Sequence, residues 1–489
     1  MTSKTRAPRI PYQSPNQLSI AGFESSFIKE LDQNNRWIKL SDRIPWDELV
    51  GVYNSKMDGG QGRPPLNGRI VLGAMIIKHI CNFSDRETIE HIQENIYMQY
   101  FLGYTGFSSR PPFDASLFVE IRNRLGMDGV NLLNTALARF SGVIEQKPDE
   151  VENAGRVLYD ATACPQSISY PTDLNLVSEA REISERLIDK LFESCIHGKK
   201  PRTYRRIARK EYLHLAQKKL KRRKAIHKAI GKQLRYLRRN LSSIDTLLDQ
   251  GQLLTKLKNK EYKLLLVIRT LYHQQRYMHS ERVGSVEDRI VNLHQAHVRP
   301  IVRGKAAHNV EFGAKINVSL INGFCFLDQL SWDAFNEGTQ LSKYVEDYKI
   351  RMGYYPKEVM ADRIYCNRAN RAYLKDRNIR LLAKPLGRPP KRPEKKRFSA
   401  GERNPIEGKF GQAKSAYGMN RIAAKLKDTS QTWIAMILFV TNLVKVARVT
   451  SYALKSISTF SAALCCLISE TYKKNTAQIQ PWFFKTQFA

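Results

Sequence analysis

The chain has 489 residues, of which 42% are hydrophobic and 10% aromatic, so it can bury a substantial core and wholesale disorder is excluded. Its 80 Lys and Arg residues outnumber 46 Asp and Glu residues, which gives a formal net charge of +34. This excess favours a polyanionic partner, usually nucleic acid, although a basic ribosomal-type protein would share it. The 7 cysteines are scattered and form no C-x-x-C pair, which argues against a disulfide framework or a Cys-rich zinc site and fits a reducing cytosol.

No targeting or membrane-spanning segment is predicted. Residues 1–20 have no apolar core of signal-peptide length. The most apolar stretch, Ile434 to Ala447, is too short to span a bilayer and contains Lys445. We therefore predict a buried helix there, a cytoplasmic protein and no membrane partner.

The N-terminal part divides into an arm, residues 1–62, and a helical domain, residues 63–150. Apolar residues recur at three- and four-residue steps after Pro64-Pro65 and predict a first helix. Ser84 to Glu87 has the pattern of a capping box that opens a second helix, and a third is predicted from near Asp114. Three short helices suit a DNA-binding head of helix-turn-helix character, and they equally suit an ordinary bundle or dimer interface.

Residues 173–298 are predicted to form a basic helical insertion. From Lys199 to Arg239 there are 18 Lys or Arg residues against one acid, Glu211, with Leu and Ile recurring at helical spacing. Like charges at this density repel unless they are neutralised, so a nearby phosphate backbone is favoured over a merely solvated helix face. The candidate DNA contacts in this segment are Arg205, Arg206, Lys221, Arg222 and Arg223.

Residues 151–172 and 299–450 carry the strand signals. The predicted elements are a strand ending at Asp160, a hairpin about Asn322-Gly323, and strands 359–361 and 380–384, with helices 338–352, from 404 and from 429. The fold class is therefore α/β, with a mixed five-stranded sheet flanked by helices. Residues 451–489 are left as a C-terminal tail.

Three acids stand at positions where they can meet. Asp160 and Asp362 end apolar strands, and Glu407 begins a helix. Phosphodiester chemistry with two metal ions requires hard oxygen ligands that hold Mg²⁺ or Mn²⁺ ions about 3.5–4 Å apart. Taken singly, an Asp at a strand end more often caps a turn. Asn404-Pro-Ile-Glu407 is also typical of a capping box, and capping is the favoured role of Glu407 on this evidence alone.

Cations surround the third acid. Arg403 precedes it, and Lys414 follows two helical turns later on the same face. The segment from Arg403 to Lys414 resembles the third-acid region of bacterial insertion-sequence transposases of the DDE type. It is most similar to the insertion-sequence-five superfamily, which is related to the insertion-sequence-four group. The segments about Asp160 and Asp362 resemble the first- and second-acid regions of that family, and residues 64–126 resemble its helical N-terminal domain.

The resemblance implies an RNase H-like catalytic domain that uses Asp160, Asp362 and Glu407 as catalytic and metal-binding residues, with two Mg²⁺ or Mn²⁺ ions and no nucleotide cofactor. It implies cleavage at terminal inverted repeats and attack of the freed 3′-OH on target DNA. Phosphates near the cut would be contacted by Arg403 and Lys414, and Lys409 between them is a further candidate DNA contact. Joining two ends implies at least a homodimer on DNA, in the bacterial cytoplasm and at the nucleoid when bound. One departure is Ala400, where the family often has Tyr, so gripping a displaced terminal nucleotide by that residue is in doubt.

Two other functions share these features. An RNase H-like nuclease or resolvase would cut branched DNA without strand transfer. A transposase-derived protein without activity would only bind DNA. The helical head and the basic insertion favour the transposase over the first, and the intact set of acids favours it over the second.

Overall fold

The computed structural model describes residues 12–14, 31–57, 66–144, 152–251, 253–302, 310–383 and 400–447. Their contacts divide the chain into two compact units. The first takes its described residues from Met1–Leu117, Leu132–Ile144 and Phe439–Ala489, and the second takes them from Phe118–Asn131 and Glu145–Leu438. Predictions for residues 1–11, Pro64-Pro65, the loop 385–397 and the tail 451–489 lie outside the described residues.

Helices account for the regular structure described in the first unit. They are α1 Arg36–Ser41, α2 Trp46–Met57, α3 Gly68–Cys81, α4 Asp85–Glu94, α5 Ile96–Phe101 and α6 Leu117–Phe140, of which α6 is shared between the units. The capping box before α4 is confirmed, since Ser84 Oγ accepts from Glu87 N and Glu87 Oε2 accepts from Ser84 N at 2.7 Å.

Part of the predicted arm is helical. Both α1 and α2 lie within residues 1–62, and aromatic residues account for their stability. Trp37 and Trp46 are almost fully buried and place their rings 5.3 and 5.2 Å from that of Phe101. Each buried aromatic side chain contributes on the order of 2–3 kcal/mol. Helix α1 escaped the sequence analysis because it spans fewer than two turns, whereas the longer α2 was missed within the segment assigned to the arm.

A mixed sheet of six strands forms the centre of the second unit. The strands are β1 Arg156–Pro165, β2 Arg299–Val302, β3 Val310–Ile321, β4 Phe324–Ser331, β5 Glu358–Met360 and β6 Arg380–Leu382. Their order is β2-β3-β1-β5-β6, with β4 also paired to β3. The β1–β3, β2–β3 and β3–β4 pairs are antiparallel, and β1–β5 and β5–β6 are parallel.

The α/β class and all five predicted strands are confirmed, but the number of strands is not. The sixth strand, β2, has four residues and contains Pro300, so it gives no alternating signal. The hairpin prediction was correct: Asn322 and Gly323 have φ of 49° and 79°, and such positive values suit these two residues in a tight turn.

The chain leaves the sheet and returns to it at one place. Pro165, at the end of β1, and Arg299, at the start of β2, are both register partners of Gly313 in β3. A Cβ on Gly313 would lie 2.1 Å from the carbonyl oxygen of Cys164, so only glycine allows this approach. The helical insertion begins and ends beside this glycine.

The insertion is a bundle of helices with its own core. Its helices are α7 Asp173–Leu191, α8 Ser194–His197, α9 Arg205–Ala216, α10 Arg223–Asp249 and α11 Asn259–Glu281, with a 3₁₀ turn at Leu254–Lys256. Leu and Ile side chains of α7, α10 and α11 form the core. The helical pattern predicted to continue to about His297 ends at Glu281, because Arg282 adopts a left-handed conformation that stops α11.

Three further helices flank the sheet, and the last described helix is divided between the two units. They are α12 Leu341–Met352, α13 Arg368–Asp376, α14 Asn404–Ala416 and α15 Lys427–Ala447, with 3₁₀ turns at Glu337–Thr339, Arg363–Tyr365 and Ala400–Arg403. Within the described ranges, α15 is the one helix long and apolar enough to cross a membrane, and 78% of its most apolar window is buried. The prediction of a buried helix here is confirmed, although α15 begins before Ile434 and is long enough to span.

Candidate active site

The pairing of β1 with β5 brings two of the three predicted acids together. Leu158 is the register partner of Met360, the last residue of β5. Asp160 and Asp362 each lie two residues beyond this pair, so parallel pairing carries both to the same edge of the sheet. The prediction that Asp160 ends its strand was wrong, because β1 continues to Pro165 along the longer β3. Asp160 nevertheless stands where its neighbour β5 stops.

Asp160 is held in a partly buried position. Its side chain is 19% exposed, and its Oδ1 accepts the Ala161 N–H at 2.9 Å. Burial raises the pKa of Asp160, whereas Arg403 and the Ala161 N–H lower it, and Asp362 and Glu337 raise it further. A carboxylate in this setting gains from a nearby cation, because a cation offsets the cost of burying its charge.

Asp362 caps the short turn that follows β5. Its Oδ1 accepts the Arg363 N–H at 2.7 Å at the start of the 3₁₀ turn Arg363–Tyr365. The side chain is 53% exposed, far more than that of Asp160. The capping role expected for a lone Asp is therefore real, and it leaves Asp362 open to solvent and to a ligand.

Arg403 joins the two acids. Its Nη2 lies 3.4 Å from Asp160 Oδ2 and its Nη1 lies 3.0 Å from Asp362 Oδ1. The guanidinium is itself only 17% exposed. One planar group that contacts two carboxylates shows that their oxygens face a common space large enough for a cation.

Glu407 does not join this pair. It is exposed in the first turn of α14, and no three His, Cys, Asp or Glu side chains in the described ranges form a metal-binding group. The capping box expected at Asn404 is also absent: α14 has Arg403 as its N-cap and no side-chain capping hydrogen bond. The capping interpretation of Glu407 was wrong, because the preceding 3₁₀ turn shifts the helix start by one residue.

Two hard carboxylates that face one space suit Mg²⁺ or Mn²⁺. Asp160 and Asp362 supply such a pair, and α14 packs against β1 close to them. The donor set therefore fits a divalent cation for two of its three predicted ligands, and Glu407 lies outside the set in this conformation.

The sequence analysis missed a second acid beside Asp160. Glu337 is 16% exposed and forms an ion pair with Lys315, whose Nζ also donates to Phe335 O at 2.7 Å. The negative charge of Glu337 contributes to the raised pKa of Asp160. Asn336-Glu337-Gly338 is an ordinary turn sequence, so no signal in it indicates proximity to the site.

The turn that carries Glu337 is fixed against the turn that follows Asp362. The side-chain amides of Asn367 and Asn370 donate to Gly338 O at 2.9 and 2.6 Å. A Cβ on Gly338 would lie 2.2 Å from the carbonyl oxygen of Ile364. Because the two backbone segments approach so closely, this contact fixes the position of the 3₁₀ turn beside Asp362.

The predicted DNA-contacting residues of the insertion differ in their surroundings. Arg206, Lys221, Arg222 and Arg223 are exposed, as are all of residues 217–222 between α9 and α10 and the first three residues of α10. Arg205 is exposed but donates to both oxygens of Asp189 at 2.9 Å. On α14, Lys409 and Lys414 are partly exposed.

Comparison with known proteins settles the family. Residues 25–124 match the family described as "Transposase domain (DUF772)", and residues 359–444 match the family described as "Transposase DDE domain". The "uncharacterized protein ORF8 in nfe locus" of Rhizobium meliloti is 32% identical over 183 residues, which are 37% of this chain and 83% of that protein. The chain belongs to the DDE-type insertion-sequence transposases. No solved structure matches the chain.

The match to the DDE domain covers part of the candidate site. Asp362, Arg403, Glu407 and Lys414 lie inside residues 359–444, whereas Asp160 lies outside both matched segments. Transposases act on DNA, and DDE domains generally use divalent metal ions. The pairing of β1 with β5 is what connects Asp160 to the matched residues.

Proposed function

We propose that this transposase cleaves DNA at the ends of an insertion sequence and joins the freed 3′ ends to target DNA, on a catalytic core of the RNase H-like type. The sheet supports this assignment. An antiparallel β4-β3-β1 meander is followed by two further strands, β5 and β6, that run parallel to β1. Asp362 follows β5, and Asp160 lies within β1 at the point where its pairing with β5 has ended.

The observation that carries the proposal is the shared contact of Arg403 with Asp160 and Asp362. These residues are far apart in the chain and come from separate elements. Structural ion pairs are common, but this one joins the two strand-associated acids that the family pattern requires. Asp160, Asp362 and Glu407 would hold the divalent ions, which supply a Lewis acid for the attacked phosphate and for the leaving oxygen.

The protein's own residues perform the binding and positioning. Burial keeps Asp160 in place with one oxygen fixed by the Ala161 N–H, while the exposed Asp362 faces the side open to substrate. Arg403 at the start of α14, with the partly exposed Lys409 and Lys414 on that helix, would contact phosphates beside the scissile bond. The exposed basic residues between α9 and α10 would hold the same DNA farther from the cut.

The test uses single amide substitutions in the full-length protein. Asp160→Asn, Asp362→Asn and Glu407→Gln should each reduce Mg²⁺-dependent nicking of element-end DNA by at least about a hundredfold, while binding of that DNA stays within about threefold. Asp376→Asn is the matched control, because Asp376 is an acid 80% exposed on α13. Its activity should equal that of the unchanged protein.

Product analysis separates transposition from other DNA cutting. Joined donor–target products indicate strand transfer, and their absence despite efficient nicking would leave a nuclease of the resolvase type. Nicking that persists in all three amide variants would overturn the assignment of the acids. We also propose that two copies of the chain act together on paired terminal inverted repeats in the bacterial cytoplasm, with the protein at the nucleoid when bound to DNA.

A further inference from the structure

The bridge made by Arg403 occupies the oxygens that a metal ion would need. Asp160 has both oxygens engaged, Oδ1 with the Ala161 N–H and Oδ2 with Arg403. Asp362 Oδ1 accepts from both Arg363 N and Arg403. A divalent ion held by this pair would bind oxygens of both carboxylates directly, so it would compete with the guanidinium for the same atoms.

The electrostatic balance favours such competition. Two ionised carboxylates that face one space carry two negative charges, and Arg403 supplies a single positive charge to both of them. It therefore stabilises the pair but leaves one negative charge uncompensated, which a divalent ion in place of the guanidinium would neutralise.

Arg403 also lies at the boundary between two helical elements. It ends the 3₁₀ turn Ala400–Arg403 and is the N-cap of α14, with no side-chain capping hydrogen bond to hold it there. Glu407 lies four residues later, one helical turn on, and residues at this spacing share a face of the helix. The third acid is thus aligned with the group that occupies the site.

We propose that Arg403 is a gate for metal loading: it closes the Asp160–Asp362 pair in the absence of DNA and exchanges these carboxylates for a DNA phosphate. This proposal rests on the proposed function of the site. A guanidinium binds phosphate and carboxylate oxygens with the same paired geometry, so the exchange replaces one set of charge-assisted hydrogen bonds with another. Its consequence is linkage, in which DNA raises the affinity for metal and metal raises the affinity for DNA.

The experiment measures Mn²⁺ binding to the full-length protein without DNA, by the electron paramagnetic resonance signal of free Mn²⁺. Arg403→Gln should bind Mn²⁺ on the order of tenfold more tightly than the unchanged protein, because the competing cation is gone. Arg363→Gln is the matched control. Arg363 is exposed and follows Asp362 in the chain, so its loss removes a nearby charge and keeps the bridge. It should change the affinity less than about threefold.

Two further measurements make the result specific. Adding element-end duplex should tighten Mn²⁺ binding to the unchanged protein and have a smaller effect on Arg403→Gln. Arg403→Lys keeps a charge but cannot contact both carboxylates with one planar group. Its affinity for Mn²⁺ should therefore lie between that of the unchanged protein and that of Arg403→Gln. This variant also serves if Arg403→Gln fails to fold.

The outcomes distinguish the gate from the proposed function. Mn²⁺ affinity that is equal in Arg403→Gln and the unchanged protein, including no measurable binding by either, overturns the gate. In that case, loss of nicking in Asp160→Asn and Asp362→Asn would still support the catalytic assignment. Tighter Mn²⁺ binding that survives Asp160→Asn and Asp362→Asn would place the ion elsewhere and would overturn the gate as well.

Discussion

Arg181 in the helical insertion has no access to solvent, and its replacement tests what holds the bundle together. The residue is 0% exposed on α7. Its guanidinium donates to Glu185 at 2.6 Å, to Gln233 on α10 at 2.9 Å and to Glu182 at 2.9 Å. Glu185 has a side chain only 7% exposed. Removing Arg181 alone therefore leaves a buried carboxylate without its cation.

We expect Arg181→Met to destabilise the bundle by about 3–5 kcal/mol, the usual cost of breaking a buried pair on one side. Arg181→Met combined with Glu185→Leu should recover most of this loss, because no buried charge then remains. Burial raises the pKa of Glu185 and Arg181 lowers it, so without Arg181 the pKa rises further. The loss in Arg181→Met should therefore become smaller as the pH falls and Glu185 takes up a proton.

Amide hydrogen exchange of peptides from α10, followed by mass spectrometry, measures the stability of this bundle within the full-length protein. Arg186→Met, an exposed position on the same helix, is the control and should stay within about 0.5 kcal/mol. The reasoning is refuted if Arg181→Met costs less than about 1 kcal/mol, or if the double variant is as unstable as the sum of its single changes.

Three other predictions follow from individual positions. Burial, together with the charges of Lys427 and Arg299, lowers the pKa of His297 to about 4, so the folded state favours the neutral ring. The free energy of unfolding should therefore be greatest above pH 6.5 and fall by about 2 kcal/mol towards pH 4. Thermal melts at a series of pH values should show this loss in the unchanged protein and not in His297→Phe. Gly338→Ala should lower the free energy of unfolding by about 1–3 kcal/mol and reduce nicking, because the added Cβ would clash with Ile364 O. Gly411→Ala is the control: nothing lies near a Cβ at this position of α14, so the change should leave stability unaltered or raise it. Replacing Lys221, Arg222 and Arg223 together with Gln should reduce the slope of the logarithm of DNA affinity against the logarithm of salt concentration by about 3. Arg205→Gln is the control, because Arg205 already pairs with Asp189. A slope change no greater than that of Arg205→Gln would contradict a phosphate contact by these three residues.

Patterns of neighbouring residues predicted which helices, strands and turns form better than they predicted where those elements end. The Ser84 capping box and the Asn322-Gly323 turn are decided by neighbouring residues, and both were predicted correctly. Strand β2 and the true end of β1 depend on β3, which pairs with both along its twelve residues. Such long-range pairing leaves no periodic signal in a four-residue strand.

The candidate site likewise combines features that the sequence predicted with features that depend on tertiary packing. Their positions at the ends of predicted apolar strands indicated that Asp160 and Asp362 could meet, and the β1–β5 register brings them to one edge. The start of α14 could not be predicted, because a 3₁₀ turn competes with Asn404 for the N-cap. Glu337 approaches Asp160 only through the tertiary packing of Gly338 against the turn after Asp362, which sequence spacing does not encode.

Gly313 lies where the helical bundle is attached to the sheet. Pro165 and Arg299 flank it on opposite sides, so the two points of attachment are separated by two strand spacings, about 10 Å. A loop of a few residues spans such a distance. We therefore expect that a short loop in place of the bundle would preserve the strand order of the sheet, and that the size of the bundle is not fixed by its two points of attachment.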